Sequence, residues 1–274
     1  MNIVDNKKNI AGISFWDFKF IIESCFNIDI YRYLNDEIKL TPGQERTLED
    51  IINRYRQGDC LEYLVGKSNF FGLDLDINTD VLIPRPETEI LVEALLRHTE
   101  TKPDAKILEV GTGSGNICTA VGVNRPLSKI YSVDISGQAL DLARQNIAKY
   151  GLKNVFLIHS SMFSCFKPDC FDVIVSNPPY VERGYLRTCR NLRYEPQIAL
   201  DGGIAGCDFI RRIIMYAGRY LKNKGLLLFE IGYNHRQAVS RIIADSEFNL
   251  IEVIKDYAGI DRFILCSKAQ AWKN

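Results

Sequence analysis

Residues 106–115 read KILEVGTGSG, a short apolar strand that leads directly into a glycine-rich turn. Glycine permits such a turn because it lacks a side chain, and it lets a bound ligand approach the backbone closely. In a dinucleotide-binding fingerprint, two residues separate the second and third glycines. Here only Ser114 separates Gly113 from Gly115, so the spacing disfavours a nicotinamide-dependent dehydrogenase. By itself the turn is compatible with a ligand site or with a simple strand-to-helix connection.

Strands and helices alternate along the chain from this turn onwards. Such alternation predicts an α/β fold in which a doubly wound, Rossmann-like sheet carries helices on both faces. Ligands of such sheets bind beyond the carboxyl ends of the strands. Seven strands are predicted, the last two as an antiparallel end of the sheet: Lys106–Val110, Ile130–Ile135, Val155–Ile158, Phe171–Ser176, Leu226–Ile231, Leu250–Lys255 and Arg262–Cys266.

The first part of the chain has the pattern of a small helical domain. Thr41–Gln44 combine a capping threonine, a proline and a glutamine, which is a typical helix start, and Gly66 is placed to end a last short helix. We therefore predict a helical domain over residues 1–68, a bridging β-hairpin over 69–85 and the α/β domain over 86–274. Composition alone does not distinguish an inert bundle from a docking domain.

Pro86 is expected in the first turn of a further helix. Proline fits the first turn of a helix because its missing N–H would have no partner there, and Glu87 and Glu89 interact favourably with the helix dipole. Apolar residues then recur through Leu95. By itself this segment is an ordinary helix start without chemistry.

The composition argues against several function classes. Lysine and arginine (34 residues) balance aspartate and glutamate (34 residues), which disfavours a strongly basic nucleic-acid-binding surface. None of the eight cysteines forms a Cys-x-x-Cys pair and the three histidines lie far apart in the sequence, so we expect reduced thiols and no metal site. Without an apolar signal segment or a run of membrane-spanning length, a soluble, cytoplasmic protein is expected.

Asp134 ends the second predicted strand, about twenty residues after the glycine turn. An acidic residue at this position can accept hydrogen bonds from both ribose hydroxyls of a bound nucleoside. The glycine turn and Asp134 together predict a ligand that contains a nucleoside. They do not separate a dehydrogenase from a methyltransferase.

Asn177-Pro178-Pro179-Tyr180 follow the fourth predicted strand. The prolines stiffen the loop, force Asn177 into an extended conformation and remove two N–H donors. A planar NH2 group needs two acceptors to hold it, and the side-chain oxygen of Asn177 and the backbone oxygen of Pro178 are suitable. Tyr180 is expected to stack on a planar amide or base. At this place in the sheet, the loop predicts a site for an amino or amide nitrogen rather than a turn that merely ends a strand.

With these residues considered together, the chain resembles the HemK/PrmC-type protein-glutamine N5-methyltransferases over essentially its full length. An Asn-Pro-Pro-Tyr loop also occurs in DNA adenine and RNA guanine methyltransferases, but Ile83–Glu89 and Tyr194–Pro196 point to the glutamine branch. The segments that carry the resemblance are Tyr63–Gly66, Phe70–Leu73, Ile83–Glu89, Gly111–Gly115, Asn177–Tyr180, Tyr194–Pro196, Leu200–Gly203, Glu230–Gly232 and Asp256–Arg262.

The resemblance implies a class I methyltransferase sheet that binds S-adenosyl-L-methionine and methylates the glutamine of the Gly-Gly-Gln motif in peptide-chain release factors. It also implies that the helical domain docks this protein substrate, and that the enzyme is a monomer that does not bind nucleic acid directly. The residues implied for the substrate glutamine are Asn177, Pro178, Pro179 and Tyr180. Those implied for the cofactor are Glu109, Gly111, Thr112, Gly113, Ser114, Gly115, Asp134, Met162 and Asn177.

Two positions depart from the family pattern. Glu109 stands where aspartate is common, and its longer side chain is expected to face the amino-acid end of the cofactor. Ser160-Ser161-Met162 follow the third strand, where the family often has Gly-Asp and a large apolar residue. Met162 is still expected beneath the adenine ring, but the acidic contact to the adenine amino group is absent at Ser161.

Other functions stay open at this point. The same acceptor loop would suit a ribosomal-protein glutamine, or an exocyclic amino group of DNA or RNA, although an adenine in a duplex would have to be flipped out. A third possibility from another class is a cofactor-binding or ribosome-associated module without activity. The Asn177–Tyr180 loop disfavours that last alternative.

Overall fold

A computed structural model describes residues 12–189 and 192–269 of the chain. The chain divides after Ser68 into two compact units. No helix within the described ranges is both long and apolar enough to cross a membrane.

The described part of the N-terminal unit contains the helices α1 (Phe15–Phe26), α2 (Ile30–Leu34), α3 (Pro42–Arg56) and α4 (Leu61–Val65). Ser14 Oγ accepts a hydrogen bond from the Asp17 N–H at the start of α1, and Thr41 and Gln44 form the predicted capping box of α3. Such caps give partners to N–H groups that the helix itself leaves unpaired. The core of this unit includes Phe18, Ile21, Ile22, Ile30, Leu48 and Ile52.

A β-hairpin follows, formed by β1 (Lys67–Phe70) and β2 (Leu73–Asp76). Phe71 and Gly72 between them have positive φ angles of 54° and 73°. Two successive residues with positive φ give a turn whose twist matches that of the paired strands. The hairpin in the structure is shorter than the one predicted over residues 69–85, because β2 already ends at Asp76 and turns and loops follow it.

Helix α5 spans Thr88–His98. Pro86 lies in the tighter turn through which the chain enters this helix, in agreement with its predicted place at the first turn. In that turn the Thr88 N–H donates to the Arg85 carbonyl at 3.0 Å and the Glu89 N–H donates to the Pro86 carbonyl at 3.1 Å. Thr88 consequently lies at the start of the helix, where its side chain is buried.

The rest of the chain forms one sheet with the strand order β5-β4-β3-β6-β7-β9-β8. Its first five strands are parallel, and β9 runs antiparallel to both β7 and β8. This confirms the predicted seven-stranded, doubly wound sheet with its antiparallel end. The elements are β3 (Lys106–Val110), α6 (Asn116–Asn124), β4 (Lys129–Asp134), α7 (Gly137–Lys149), β5 (Val155–His159), β6 (Phe171–Ser176), α8 (Arg183–Leu186), α9 (Gln197–Leu200), α10 (Asp208–Tyr220), β7 (Leu221–Glu230), α11 (Arg236–Ala244), β8 (Phe248–Lys255) and β9 (Asp261–Lys268).

Helices cover both faces of this sheet. Ile107 of β3 packs in a cluster with residues of α5, α6 and α7, whereas the adjacent Leu108 packs in a cluster with residues of α10 and α11. Neighbouring residues of a strand point to opposite faces, so a strand buried on both sides is apolar throughout. The burial of both faces leaves the carboxyl ends of the strands as the place for a ligand.

The strand order reverses between β3 and β6, which are neighbours in the sheet although β4 and β5 separate them in sequence. Connections leave such a pair in opposite directions and open a crevice beyond the strand ends. The glycine turn follows β3 and the Asn177 loop follows β6. The topology therefore brings the two predicted sites together at this crevice.

Candidate active site

A cavity lies at this crevice in the C-terminal unit. Its wall includes eight of the predicted site residues: Gly111, Thr112, Gly113, Ser114, Asp134, Met162, Asn177 and Pro179. Residues from the segments before α5 and around α9 complete it, among them Asp80, Leu82, Arg85, Ile198 and Ala199. The predicted residues Glu109, Gly115, Pro178 and Tyr180 do not belong to this wall.

The glycine turn is fixed to the neighbouring strand through its backbone. The N–H groups of Gly111 and Thr112 both donate to the carbonyl of Val133, at 2.9 and 3.1 Å. Gly111, Gly113 and Gly115 all have positive φ, in the region that favours glycine. The turn thus presents backbone rather than side chains to the cavity.

Gly115 has a packing role rather than a place on the wall. A Cβ on this residue would lie 3.0 Å from the Cβ of Ala143 in α7. The absence of a side chain allows α6 and α7 to approach each other closely behind the turn.

Asp134 at the end of β4 links the glycine turn to the next helix. Its Oδ2 accepts a hydrogen bond of 2.9 Å from the Gly113 N–H, and its Oδ1 accepts one of 2.9 Å from the Ser136 N–H. Each carboxylate oxygen has more than one lone pair, so both oxygens can accept further hydrogen bonds from a ligand. The geometry suits recognition of a pair of hydroxyl groups.

Glu109 lies beneath the turn and is completely buried. The Ser132 hydroxyl donates to its Oε2, and Thr112 Oγ1 lies 2.7 Å from Ser132 Oγ. Its Oε1 has no hydrogen-bond partner among the described residues. Burial raises the pKa of Glu109 to about 8, while the hydrogen bond from Ser132 opposes that rise. The carboxyl thus lies under the glycine turn and outside the cavity wall, and its contact with the amino-acid end of the cofactor stays a prediction.

Met162 follows β5 and lines the cavity with Ser160 and Ser161. It has a positive φ of 51° and is almost fully buried. A flexible, polarisable thioether suits contact with a flat ring. The predicted position of Met162 beneath an adenine ring remains a prediction.

The Asn177 loop lies directly beside the glycine turn. Ser176 Oγ donates a 2.7 Å hydrogen bond to the carbonyl of Val110, which ties the ends of β6 and β3 together. A Cβ placed on Gly111 would lie 3.9 Å from the backbone oxygen of Asn177. A ligand on the glycine turn and a group held by Asn177 would therefore be neighbours.

A buried polar network supports this loop from behind. Asn177 Nδ2 donates to Thr88 Oγ1 at 3.1 Å, and the Thr88 hydroxyl donates to Glu230 Oε2 at 2.8 Å. The Tyr180 hydroxyl donates to the other oxygen of Glu230 at 2.7 Å. Burial raises the pKa values of both Tyr180 and Glu230, although the two hydrogen bonds to Glu230 counteract the rise for that carboxyl.

Tyr180 supports the loop from behind through its hydroxyl, and Pro178 stays a predicted backbone acceptor that lies outside the cavity wall. The ring of Tyr180 makes an edge contact with that of His235, at 6.5 Å between centroids. The stacking of Tyr180 on a planar amide or base, expected from the sequence, stays a prediction. Pro179 is the proline of this loop that reaches the cavity wall.

Three further residues near the site were assigned no individual role from the sequence. Arg85 pairs with Glu195, whose second oxygen accepts a 3.3 Å hydrogen bond from the Ile83 N–H. Glu195 is nearly fully buried, so this pair attaches the segment before α5 to the segment before α9. Thr88, Arg85 and Glu195 lie within segments that carry the family resemblance, which was the signal available. Their partners lie too far away in sequence for a local pattern to reveal.

No group of three or more histidine, cysteine, aspartate or glutamate side chains in residues 12–189 and 192–269 is arranged to hold a metal ion. The side chains and backbone groups at the cavity are instead hydrogen-bonding groups and apolar surface.

Comparison with known proteins identifies relatives along nearly the whole chain. Residues 86–191 match the family model described as methyltransferase small domain. A release factor glutamine methyltransferase from Thermodesulfovibrio yellowstonii is 38% identical over 255 residues, which cover 92% of this chain and 91% of that protein. One from Coxiella burnetii is 33% identical over 240 residues, with 88% and 86% covered.

Solved structures share the fold at lower identity. The ribosomal protein L11 methylase from Lactobacillus delbrueckii subsp. bulgaricus superposes with a TM-score of 0.52 at 20% identity, over 69% of this chain and 82% of that one. A methyltransferase from Pyrococcus furiosus gives 0.53 at 19% identity, over 73% and 91%.

Proposed function

The chain belongs to the family of release factor glutamine methyltransferases, and from this premise we propose that it methylates the side-chain amide nitrogen, N5, of the glutamine in the Gly-Gly-Gln motif of peptide-chain release factors. It is an S-adenosyl-L-methionine-dependent methyltransferase. The proposal concerns which protein is modified and which residues of this chain act.

One observation carries the proposal: the glycine turn and the Asn177 loop are adjacent at the point where the strand order reverses. The Gly111 Cβ position lies 3.9 Å from the Asn177 carbonyl oxygen. Methyl transfer requires the donor and the acceptor nitrogen to be in contact and in line, and holding them so removes much of the barrier. A donor on one loop and an acceptor on the other would satisfy that requirement.

The residues around the cavity fit the cofactor. The positive-φ glycines leave backbone accessible, Asp134 has free lone pairs at the wall, and the buried Ser114 hydroxyl has no partner among the described residues. Asp134 would accept from the ribose hydroxyls, and Met162 would contact the adenine. Bound there, the cofactor supplies a methyl group on a positively charged sulfur, which is open to attack by a nucleophile.

The Asn177 loop would hold the glutamine amide. Asn177 Oδ1 and the Pro178 carbonyl oxygen accept its two N–H hydrogens. This fixes the nitrogen for attack and stabilises the positive charge that develops on it. Held in this way, the nitrogen would be oriented to take the methyl group that the cofactor would supply, and it would release one proton to water.

The helical domain over residues 1–68 would dock the release factor, with the hairpin as its connection to the α/β domain. Large aromatic side chains are exposed on that unit, with Trp16 exposed to 70% and Tyr31 to 57%. Such residues are enriched where proteins bind one another. The enzyme would act as a monomer in the cytoplasm and would not bind nucleic acid directly.

The test is transfer of labelled methyl groups from S-adenosyl-L-methionine to a purified release factor. A matched release factor, in which the glutamine of the Gly-Gly-Gln motif is alanine, serves as the control. Label only on the release factor that retains the glutamine supports the proposal. Equal label on both factors, or label only on ribosomal proteins or nucleic acid added in parallel reactions, would overturn it.

A further inference from the structure

The Asn177 side chain has two faces of similar shape and opposite hydrogen-bonding character. Its oxygen accepts hydrogen bonds, whereas its NH2 group donates them. The amide of the substrate glutamine presents N–H groups to the enzyme, so the side-chain oxygen of Asn177 must face that amide. In the reversed orientation, two NH2 groups would face each other and no hydrogen bond would form. Something in the site must therefore select one orientation.

Thr88 provides that selection. A threonine hydroxyl carries one hydrogen, and here that hydrogen is donated to Glu230 Oε2 at 2.8 Å. The Thr88 oxygen can then only accept, and it accepts from Asn177 Nδ2 at 3.1 Å. The amide of Asn177 is consequently fixed with its nitrogen towards Thr88. Its Oδ1 accepts no hydrogen bond from the described residues, and Asn177 lines the cavity.

Glu230 in turn fixes the direction of the Thr88 hydroxyl. It stands at the end of β7, is 1% exposed, and accepts from Thr88 on one oxygen and from Tyr180 on the other. The Thr88 and Tyr180 hydroxyls both donate to it, so the hydrogen of Thr88 points to Glu230 and not to Asn177. The positive charge of Arg262 lowers the pKa of this carboxyl, and the negative charge of Glu87 raises it.

We propose that Thr88 and Glu230 are positioning residues, which hold the Asn177 amide with Oδ1 towards the acceptor nitrogen. This inference rests on the proposed function, because it assigns these residues a role in the same transfer. Neither residue lines the cavity. Their effect should therefore be on turnover and not on cofactor affinity.

The first test compares Thr88→Val with Thr88→Ser. Valine keeps the buried volume of threonine without its hydroxyl, and serine keeps the hydroxyl. We expect Thr88→Val to lower kcat roughly tenfold to a hundredfold, the size expected for one lost orienting hydrogen bond. We expect Thr88→Ser to recover most of the rate. The cofactor Kd, measured by calorimetry, should remain near the wild-type value in both variants.

A double-mutant cycle separates orientation from general packing. If Thr88 acts through Asn177, then Thr88→Val should change kcat by less than about twofold once Asn177→Ala is present. Thr88→Ala is measured in parallel, since a smaller side chain cannot clash and gives folded protein without the hydroxyl.

Three results would overturn the positioning role: wild-type kcat in Thr88→Val and Thr88→Ala, an undiminished effect of Thr88→Val in the Asn177→Ala background, or no recovery in Thr88→Ser. These failures are distinguishable from failure of the proposed function. If the wild-type protein transfers no methyl group to a release factor, the proposed function falls and this inference falls with it.

Discussion

The backbone N–H of Gly113 donates a 2.9 Å hydrogen bond to Oδ2 of Asp134, which joins the glycine turn to the end of the neighbouring strand. The same carboxylate fixes the start of α7 through the Ser136 N–H. Asp134 therefore shapes the proposed cofactor site as well as offering lone pairs to a ligand.

Asp134→Ala should weaken S-adenosyl-L-methionine binding by about tenfold to a hundredfold, because it removes charge-assisted hydrogen bonds and loosens the turn. Titration calorimetry measures the affinity directly. Asp141→Ala is the matched control, since Asp141 is an exposed carboxylate on α7 that does not line the cavity. An affinity that is unchanged in Asp134→Ala would contradict the assignment.

Asn177→Ala should affect catalysis far more than cofactor binding. The proposed contact strengthens as charge develops on the acceptor nitrogen, so its removal should lower kcat about a hundredfold or more. Single-turnover transfer from labelled cofactor gives the rate, and calorimetry gives the Kd. A rate equal to that of the wild-type protein would exclude Asn177 from the acceptor site.

The buried carboxyl of Glu109 predicts a pH-dependent stability. Its folded pKa of about 8 lies above the value of about 4.3 for an unfolded glutamate. The folded state therefore holds this proton more tightly. The resulting contribution to the free energy of unfolding is complete below about pH 4.3 and is lost as the pH rises to about 8.

The Glu109→Gln variant has no ionisable group at this position, so it should lose this pH dependence of the free energy of unfolding. Denaturant unfolding of both proteins across this pH range is the measurement. The wild-type free energy of unfolding should fall relative to that of the variant by about 1.4 kcal/mol per pH unit within the window. Parallel curves for the two proteins would show that Glu109 does not titrate as its burial implies.

The ion pair between Arg85 and Glu195 should contribute to stability. Glu195→Ala leaves the Ile83 N–H and the partly buried Arg85 without their acceptor, so the free energy of unfolding should fall by about 1–3 kcal/mol. Chemical denaturation measures it. The exposed pair of Asp141 and Arg144 supplies the contrast, and Asp141→Ala should cause no measurable change. Equal effects in both variants would argue against a structural role for the buried pair.

The sheet could be predicted from the sequence because its strands are short apolar runs with clear ends. Phe171–Ser176 matches the prediction at both ends, and Thr41 and Gln44 cap the start of α3 as expected. These features depend on local periodicity and capping chemistry, which a single sequence shows directly. The place of the glycine turn and of the Asn177 loop at strand ends could also be predicted, because each directly follows a predicted strand.

The hydrogen-bond network behind the Asn177 loop could not be predicted in the same way. Thr88 and Glu230 are 142 residues apart in sequence, and no local pattern relates them. Thr88 is the first residue of α5 and its side chain is buried, which the local sequence does not indicate. The position of the Glu109 carboxyl beneath the glycine turn could not be predicted either, since it depends on the contact with Ser132 of the neighbouring strand, 23 residues later in the sequence.

The most direct test of the central claim is tandem mass spectrometry of a release factor after incubation with the protein and S-adenosyl-L-methionine. We expect one added methyl group on the side-chain amide of the glutamine in the Gly-Gly-Gln peptide, formed at least about a hundredfold more slowly when Asn177→Ala replaces the wild-type protein. A methyl group on any other residue of the factor, or an unmodified Gly-Gly-Gln peptide after complete reaction, would contradict it.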